Sequence, residues 1–175
     1  MIVLLGYMGC GKSSVGRYLS EKYKLEYCDL DAYIEKKERL SIKRIFDIKG
    51  EIYFRKIEHQ YLKSILKQNQ FDVVSLGGGT PCYADNMEMI NAKKEITSIY
   101  LKVDLLTLTY RLFEQRQQRP LIAQIDDVNQ LKDFIRKHLF EREYFYRQAK
   151  QTLDVSKMSV KEIADTLKSS FFKKL

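Results

Sequence analysis

Gly6-Tyr7-Met8-Gly9-Cys10-Gly11-Lys12-Ser13 follows directly on the apolar run Ile2-Val3-Leu4-Leu5 and fits the template G-x-x-x-x-G-K-[ST]. Downstream, from Lys12 through Tyr23, the apolar residues Val15, Tyr18, Leu19 and Tyr23 recur at helical spacing. A buried strand feeding a glycine loop and then a helix aims consecutive backbone N–H groups and a helix N-terminus at one anionic group. Gly9 and Gly11 can take positive φ and let the backbone wrap a phosphate where a β-carbon would intrude. Lys12 would reach the β- and γ-phosphates, and the Ser13 hydroxyl would ligate Mg²⁺. The chain is therefore expected to bind a nucleoside triphosphate.

Working outward, strand patterns fall at Met1 to Leu5, Leu25 to Cys28, Phe71 to Leu76, Thr97 to Val103 and, less distinctly, Gln151 to Val155, with helical patterns in most of the intervals. This alternation implies an α/β fold with a mainly parallel sheet covered on both faces and ligands at the carboxyl ends of the strands. Polar features do cluster there. After the second strand, the carboxylates of Asp29-Leu30-Asp31 share a side if the segment is extended and diverge if it is helical. Either could meet Mg²⁺ or a hydroxyl, and a helix N-cap with a second acid in the first turn is compatible with both. After the third strand, Gly77-Gly78-Gly79-Thr80-Pro81 suits backbone that must pass close to a ligand. Between them, Gly50 to Glu58 reads as the start of a helix running to about Gln68, on which Arg55 and Glu58 are neighbours. Taken alone, that pair is an ordinary surface ion pair; beside an anionic ligand, the carboxylate would hold the guanidinium fork in place.

The 175 residues are 45% hydrophobic, enough for one domain with a sizeable core, and no composition break divides them. Cys10, Cys28 and Cys82 are widely spaced and odd in number, so they form neither a zinc pattern nor an evident disulfide framework. A reducing, cytoplasmic setting is expected. The N-terminal strand is too short for a signal peptide, and no stretch approaches the length of a membrane span. The net charge of +8 raises the question of nucleic acid, but the lysines are scattered over helix faces and the tail Lys173-Lys174 without a long basic run. No nucleic-acid or membrane partner is expected.

The ordered set resembles the shikimate kinases. The likeness rests on Gly6 to Ser13, Asp29-Leu30-Asp31, Ile45-Phe46-Asp47 followed by Gly50-Glu51 and Phe54-Arg55, the triple glycine, Arg119-Pro120-Leu121, and Arg142 in Arg142-Glu143-Tyr144-Phe145-Tyr146-Arg147. It spans residues 1 to about 147. The resemblance implies a three-layer P-loop kinase fold, a five-stranded parallel sheet flanked by helices on both faces, in a single domain of residues 1–175. Within it a shikimate-binding segment would lie at about 31–60 and a mobile lid at about 112–126. It implies a monomer that binds ATP, ADP and shikimate and transfers the γ-phosphate of ATP to the shikimate 3-hydroxyl, giving shikimate 3-phosphate and ADP.

Carried over position by position, Gly9, Cys10, Gly11, Lys12, Ser13 and Ser14 would bind ATP, with Ser13 on Mg²⁺ and Asp29 near the metal through water. Asp31 would hydrogen-bond the shikimate hydroxyls and accept a proton. Arg55 and Arg142 would grip the carboxylate, and Gly77, Gly78 and Gly79 would bring backbone donors against the ring. Arg119 would sit on the lid, bind ATP and neutralise charge on the phosphoryl group in flight. Such a set suits phosphoryl transfer, which relies on positioning and charge neutralisation. Whether Arg111 or Arg116 takes the adenine-stacking place stays open, and Asp154-Val155-Ser156 is uninformative. Cys10 departs from the serine or alanine common in the family. A gluconate-type kinase would share the phosphate loop and lid without needing Arg55 and Arg142, and a noncatalytic nucleotide-regulated RNA-binding module would use the positive charge instead.

Overall fold

The computed structural model describes residues 1–119 and 121–172. Pro120 of the Arg119-Pro120-Leu121 motif and the tail Lys173-Lys174 lie outside the described residues. Five parallel strands form one sheet: β1 (Ile2–Leu5), β2 (Tyr27–Asp29), β3 (Val73–Ser75), β4 (Thr97–Lys102) and β5 (Gln151–Asp154), in the order β2-β3-β1-β4-β5. Each expected strand is found, trimmed by a residue or two at its ends, except that β2 starts two residues late and runs one residue further, to Asp29. All four residues of β1 are buried, as a central parallel strand covered on both faces requires. β5 sits at the sheet edge with three of its four residues exposed, which is why its sequence lacks a clean apolar run.

The helices are α1 (Lys12–Tyr23), α2 (Leu30–Glu38), α3 (Ile42–Gln68), α4 (Asn86–Asn91), α5 (Leu105–Glu114), α6 (Val128–Tyr146) and α7 (Val160–Phe171). Most start on a side-chain cap. Asp29, Ser41, Asp104, Asp127 and Ser159 each accept from backbone N–H groups of the first turn, and Ser159 forms a full capping box with Glu162. α1 differs: its cap is Gly11 at φ 101°, with no side-chain acceptor. Its first N–H groups are left without an intrahelical partner, pointed out of the carboxyl edge of the sheet.

α3 is two helical pieces joined at Gly50, whose φ of 79° and ψ of 171° break the helical path. Helix is present on both sides of the glycine, where the sequence marks only the later piece. The joint is bridged by side chains. Phe46 packs on Phe54 with ring centroids 4.7 Å apart, and the Glu38 carboxylate accepts from Lys49 before the break and from Tyr53 and Tyr61 after it. None of the helices among the described residues is long and apolar enough to cross a membrane.

The order of the sheet puts β1 between β3 and β4, and the chain leaves β1 toward one edge but leaves both of these neighbours toward the other. In parallel sheets the crevice at such a reversal is where ligands lie. Against β2, α1 approaches so closely that a β-carbon on Gly16 would stand 2.1 Å from the Tyr27 ring. That ring is pinned, its hydroxyl bonding Ser75 and donating to Asp29. Inside a helix, Gly→Ala ordinarily gains about 1 kcal/mol. Here overpacking reverses the sign: Gly16→Ala should lose about 1–3 kcal/mol and lower Tm by several degrees, measured by thermal unfolding. An unchanged or higher Tm would mean that the ring moves aside freely.

Candidate active site

The loop between β1 and α1 winds tightly around its own lysine. Lys12 is 8% exposed, and its ammonium donates to the Gly6 carbonyl at 2.8 Å and the Tyr7 carbonyl at 3.1 Å, with the Cys10 sulfur at 3.6 Å. Gly9 is fixed by two constraints, a φ of 81° and a β-carbon position 2.9 Å from Leu112 Cδ2 on α5. Cys10 is 1% exposed, so its thiol is shielded by the packing beneath the loop. Next to Lys12, the Ser13 hydroxyl donates to Asp29 Oδ2 at 2.7 Å.

Asp29 serves both of the uses its position suggests. Its Oδ1 caps α2 through the N–H groups of Asp31 and Ala32, while its Oδ2 faces Ser13 and accepts from the Tyr27 hydroxyl. Because the chain turns helical at Leu30, Asp31 points elsewhere. Its carboxylate stands against the triple glycine, where a β-carbon on Gly77 would lie 2.8 Å from Asp31 Oδ1. Burial, reinforced by the neighbouring charges of Asp29 and Glu58 and opposed by Lys12, pushes Asp31 up to about 7.

The other two glycines each meet an arginine. A β-carbon on Gly79 would stand 2.8 Å from Arg55 Nη2, and one on Gly78 would stand 3.7 Å from Arg142 Nη1. Three adjacent residues of one loop therefore face Asp31, Arg142 and Arg55 in turn, from α2, α6 and α3. Arg55 is held firmly. Nη1 donates to Glu58 Oε2 at 2.8 Å, the Glu51 carboxylate lies 3.4 Å from Nε, and the guanidinium rests 4.0 Å from the Tyr83 ring centroid. Glu58 is only 1% exposed and also accepts from Thr80 Oγ1 at 2.6 Å. The Arg55–Glu58 pair is thus buried beside the glycine loop, unlike the surface pair that its spacing alone suggests.

Between α5 and α6 the chain folds as consecutive turns, with a short 3₁₀ segment at Arg116–Gln118. Ile122 is fully buried and anchors these turns to the core. Arg119 is half-buried; Nη2 donates to Gln115 Oε1 at 3.3 Å, and Nε is buried without a hydrogen-bond partner. Burial lowers its pKa, with Cys10 acting in the opposite direction. Arg116 is engaged differently: it covers the Phe113 ring at 4.1 Å, donates to the Phe113 carbonyl and lies 3.6 Å from Asp126. Farther along the sheet edge, Asp154 accepts from Ser156 N and Oγ, and Ser156 Oγ in turn accepts from Asp104 N, tying the loops after β4 and β5 together.

Tyr27, Ser75, Thr80, Tyr83 and Tyr146 complete these contacts and carry no motif of their own. Tyr83 and Thr80 follow the triple glycine closely, which is the one signal that could have singled them out. Tyr146 donates from a fully buried hydroxyl to the Gly78 carbonyl at 2.6 Å.

A phosphate loop at the switch point of a parallel sheet, with a carboxylate and two arginines from three helices facing the adjoining glycine loop, defines the class: a small-molecule kinase of the P-loop kind. A model of the shikimate kinase family matches residues 8–171. The shikimate kinase of Flavobacterium johnsoniae is 45% identical over 161 residues, covering 92% of both chains, and that of Flavobacterium psychrophilum is 39% identical over 98% of both. Among solved structures, shikimate kinase from Bacteroides thetaiotaomicron superposes with a TM-score of 0.84 at 32% identity over 99% of this chain and 98% of that one. Shikimate kinase from Acinetobacter baumannii in complex with shikimate superposes with a TM-score of 0.79 at 30% identity over 99% of this chain and 94% of that one. The chain belongs to the shikimate kinase family, and it is an ATP-dependent kinase.

Asp31 also affects stability. Its folded-state pKa of about 7 lies above the unfolded value of about 3.9, so the native state holds the extra proton between those limits. Stability from this group is full below the lower limit and is lost as pH rises through the upper one. Asp31→Asn removes that loss, so it should raise Tm relative to wild type at pH 8 and by much less at pH 5. A Tm difference independent of pH would overturn this account.

Proposed function

We propose that Asp31, Arg55 and Arg142, brought together by Gly77, Gly79 and Gly78, form the shikimate subsite, and that the loop Gly9, Cys10, Gly11, Lys12, Ser13 and Ser14 holds the phosphates of ATP. The reaction, in which the γ-phosphate of ATP passes to the shikimate 3-hydroxyl, needs an acceptor hydroxyl next to the phosphate loop. The observation that carries the assignment is the triple glycine, whose backbone faces one carboxylate and two guanidinium groups, at Gly77 and Gly79 so closely that a β-carbon would crowd Asp31 and Arg55. Two arginines suit a planar carboxylate, each offering paired N–H donors.

Asp31 accepts the proton of the attacking hydroxyl in this reading. A carboxyl poised near 7 is a competent base at neutral pH while remaining close enough to lose and regain the proton within a cycle. Lys12 exchanges its loop carbonyls for phosphate oxygens. Arg119, already desolvated and without a carboxylate partner among the described residues, supplies charge to the transferring group. Segment 112–126 acts as the lid and segment 31–60 holds shikimate, within one monomeric domain. Arg111 is the better placed arginine for the adenine, because Arg116 is already committed to Phe113 and Asp126, whereas no side-chain hydrogen bond or ion pair engages Arg111 among the described residues.

Mg²⁺ fits the residues present. Ser13 Oγ and Asp29 Oδ2 are hard oxygen donors 2.7 Å apart at the mouth of the phosphate loop, and these two residues would hold the ion, Ser13 directly and Asp29 through water. When bound, the ion would neutralise phosphate charge. Asp29 also keeps its own place, since its second oxygen is committed to capping α2.

A coupled assay of ADP release over shikimate, gluconate and nucleoside monophosphates tests the assignment; turnover is expected with shikimate alone. Asp31→Asn should cut kcat by at least about 100-fold while ATP binding persists, and the acid limb of log kcat/KM near pH 7 should disappear from the residual activity. Arg142→Lys should raise KM for shikimate about tenfold or more and leave KM for ATP within twofold, because a bidentate contact becomes a point contact. Equal losses for both substrates would place Arg142 elsewhere.

A further inference from the structure

The two arginines of the shikimate subsite are built in opposite ways. Arg55 lies between Glu58 and Glu51, so its immediate surroundings carry at least as much negative as positive charge. Arg142 has no carboxylate within ion-pair distance among the described residues. It is flanked by aromatic groups instead. Its guanidinium carbon lies 5.8 Å from the centroid of the Tyr7 ring, and the Tyr146 hydroxyl one turn along the helix donates to the Gly78 carbonyl.

Tyr7 is itself fixed from the same helix. His138, Arg142 and Tyr146 are four residues apart and share one face of α6. The Tyr7 hydroxyl bonds His138 Nδ1 at 3.2 Å, and the two rings meet edge to face with centroids 6.4 Å apart. Phe134, one turn earlier, packs on His138 with centroids 4.2 Å apart. Tyr7 is 1% exposed and keeps its proton, its pKa raised by burial. Burial and the positive charges of Arg142 and Lys137 lower the His138 pKa against the opposing charge of Glu141, which favours a neutral imidazole.

We infer that Tyr7, locked by His138, is a positioning residue for the substrate carboxylate: it orients Arg142 by its ring face and leaves the guanidinium's charge uncompensated. This rests on the reading of Arg142 as a carboxylate anchor. An aromatic face attracts a cation without cancelling its charge as a carboxylate does. Arg142 would then supply most of the electrostatic attraction for the acid, with Arg55 supplying shape. Tyr7 belongs to the phosphate loop by sequence, yet its side chain turns toward the acceptor half of the site.

The experiment compares Tyr7→Leu, Tyr7→Phe, His138→Gln, Arg142→Gln and the double variant Tyr7→Leu/Arg142→Gln by steady-state kinetics, with Tm recorded for each. Tyr7→Leu should raise KM for shikimate about five- to tenfold, leaving kcat and KM for ATP within about twofold. Tyr7→Phe, which keeps the ring face, should restore KM to within about threefold of wild type. In the Arg142→Gln background, Tyr7→Leu should add less than twofold. Parallel rises in KM for both substrates, a Tyr7→Phe as impaired as Tyr7→Leu, or fully additive effects would each overturn the inference. If Tyr7→Leu does not fold, His138→Gln decides: a two- to fourfold rise in KM for shikimate alone supports it, and no rise refutes it. If Arg142→Gln leaves KM for shikimate unchanged, the anchor assignment fails first.

Discussion

The Leu76 N–H donates to the Leu4 carbonyl at 3.0 Å, closing the parallel pairing of β1 with β3, and beyond that bond each strand opens into a glycine loop. The site depends on this pairing. Because the strands are parallel, their carboxyl ends lie on one edge, so the phosphate loop and the triple glycine are brought side by side without any long-range side-chain contact being needed. They nearly touch: a β-carbon on Gly78 would lie 3.5 Å from Met8 N and 3.8 Å from the Gly6 carbonyl oxygen. α2, α3 and α6 then deliver Asp31, Arg55 and Arg142 to a backbone surface that is already in place.

The distribution of charge around that surface follows from what each group can pair with. Asp29 spends its carboxylate on Ser13, Tyr27 and the start of α2, and Glu58 spends its own on Arg55 and Thr80. Asp31 is left buried, with no ion pair among the described residues and with three anionic neighbours, Asp29, Glu58 and Glu35, and its raised pKa follows directly. The contact that admits Asp31 to the Gly77 backbone is also part of what desolvates it. One glycine therefore serves reach and basicity together, which a larger residue at position 77 would prevent by displacing the carboxylate.

Much of the fold was legible because buried parallel strands write themselves as short apolar runs, and Val73-Val74 or Ile2 to Leu5 can hardly be anything else. β5 was faint for the converse reason, being an exposed edge. The early piece of α3 went unread because Gly50 looks like a start rather than a joint in the middle. At the site, the glycines and charged residues picked out by their order are brought together in the fold, and the spacing of Arg55 and Glu58 gave the pair but not the burial of Glu58. That burial comes from Thr80 and Tyr83, which arrive from a different loop through the tertiary fold. The stripe His138, Arg142, Tyr146 looks like any helix face until Tyr7 is placed beneath it.

The segment around Arg119 shows how a chain of short turns can be ordered and still favour an anion. Its turns are closed by successive short-range bonds, Gln118 to Gln115, Arg119 to Arg116, Ile122 to Arg119 and Ile125 to Ile122, and Ile122 is sunk into the core. Apolar burial of that one side chain contributes about 1.5–3 kcal/mol, enough to hold a short segment in place. Against this stands a half-buried guanidinium with Nε unbonded and no carboxylate in reach among the described residues, a cost that neither Gln115 nor the Cys10 thiol removes. Phosphate oxygens at the adjacent loop would relieve that cost in this geometry and in few others. By linkage, an anion bound there would stabilise these ordered turns by the difference.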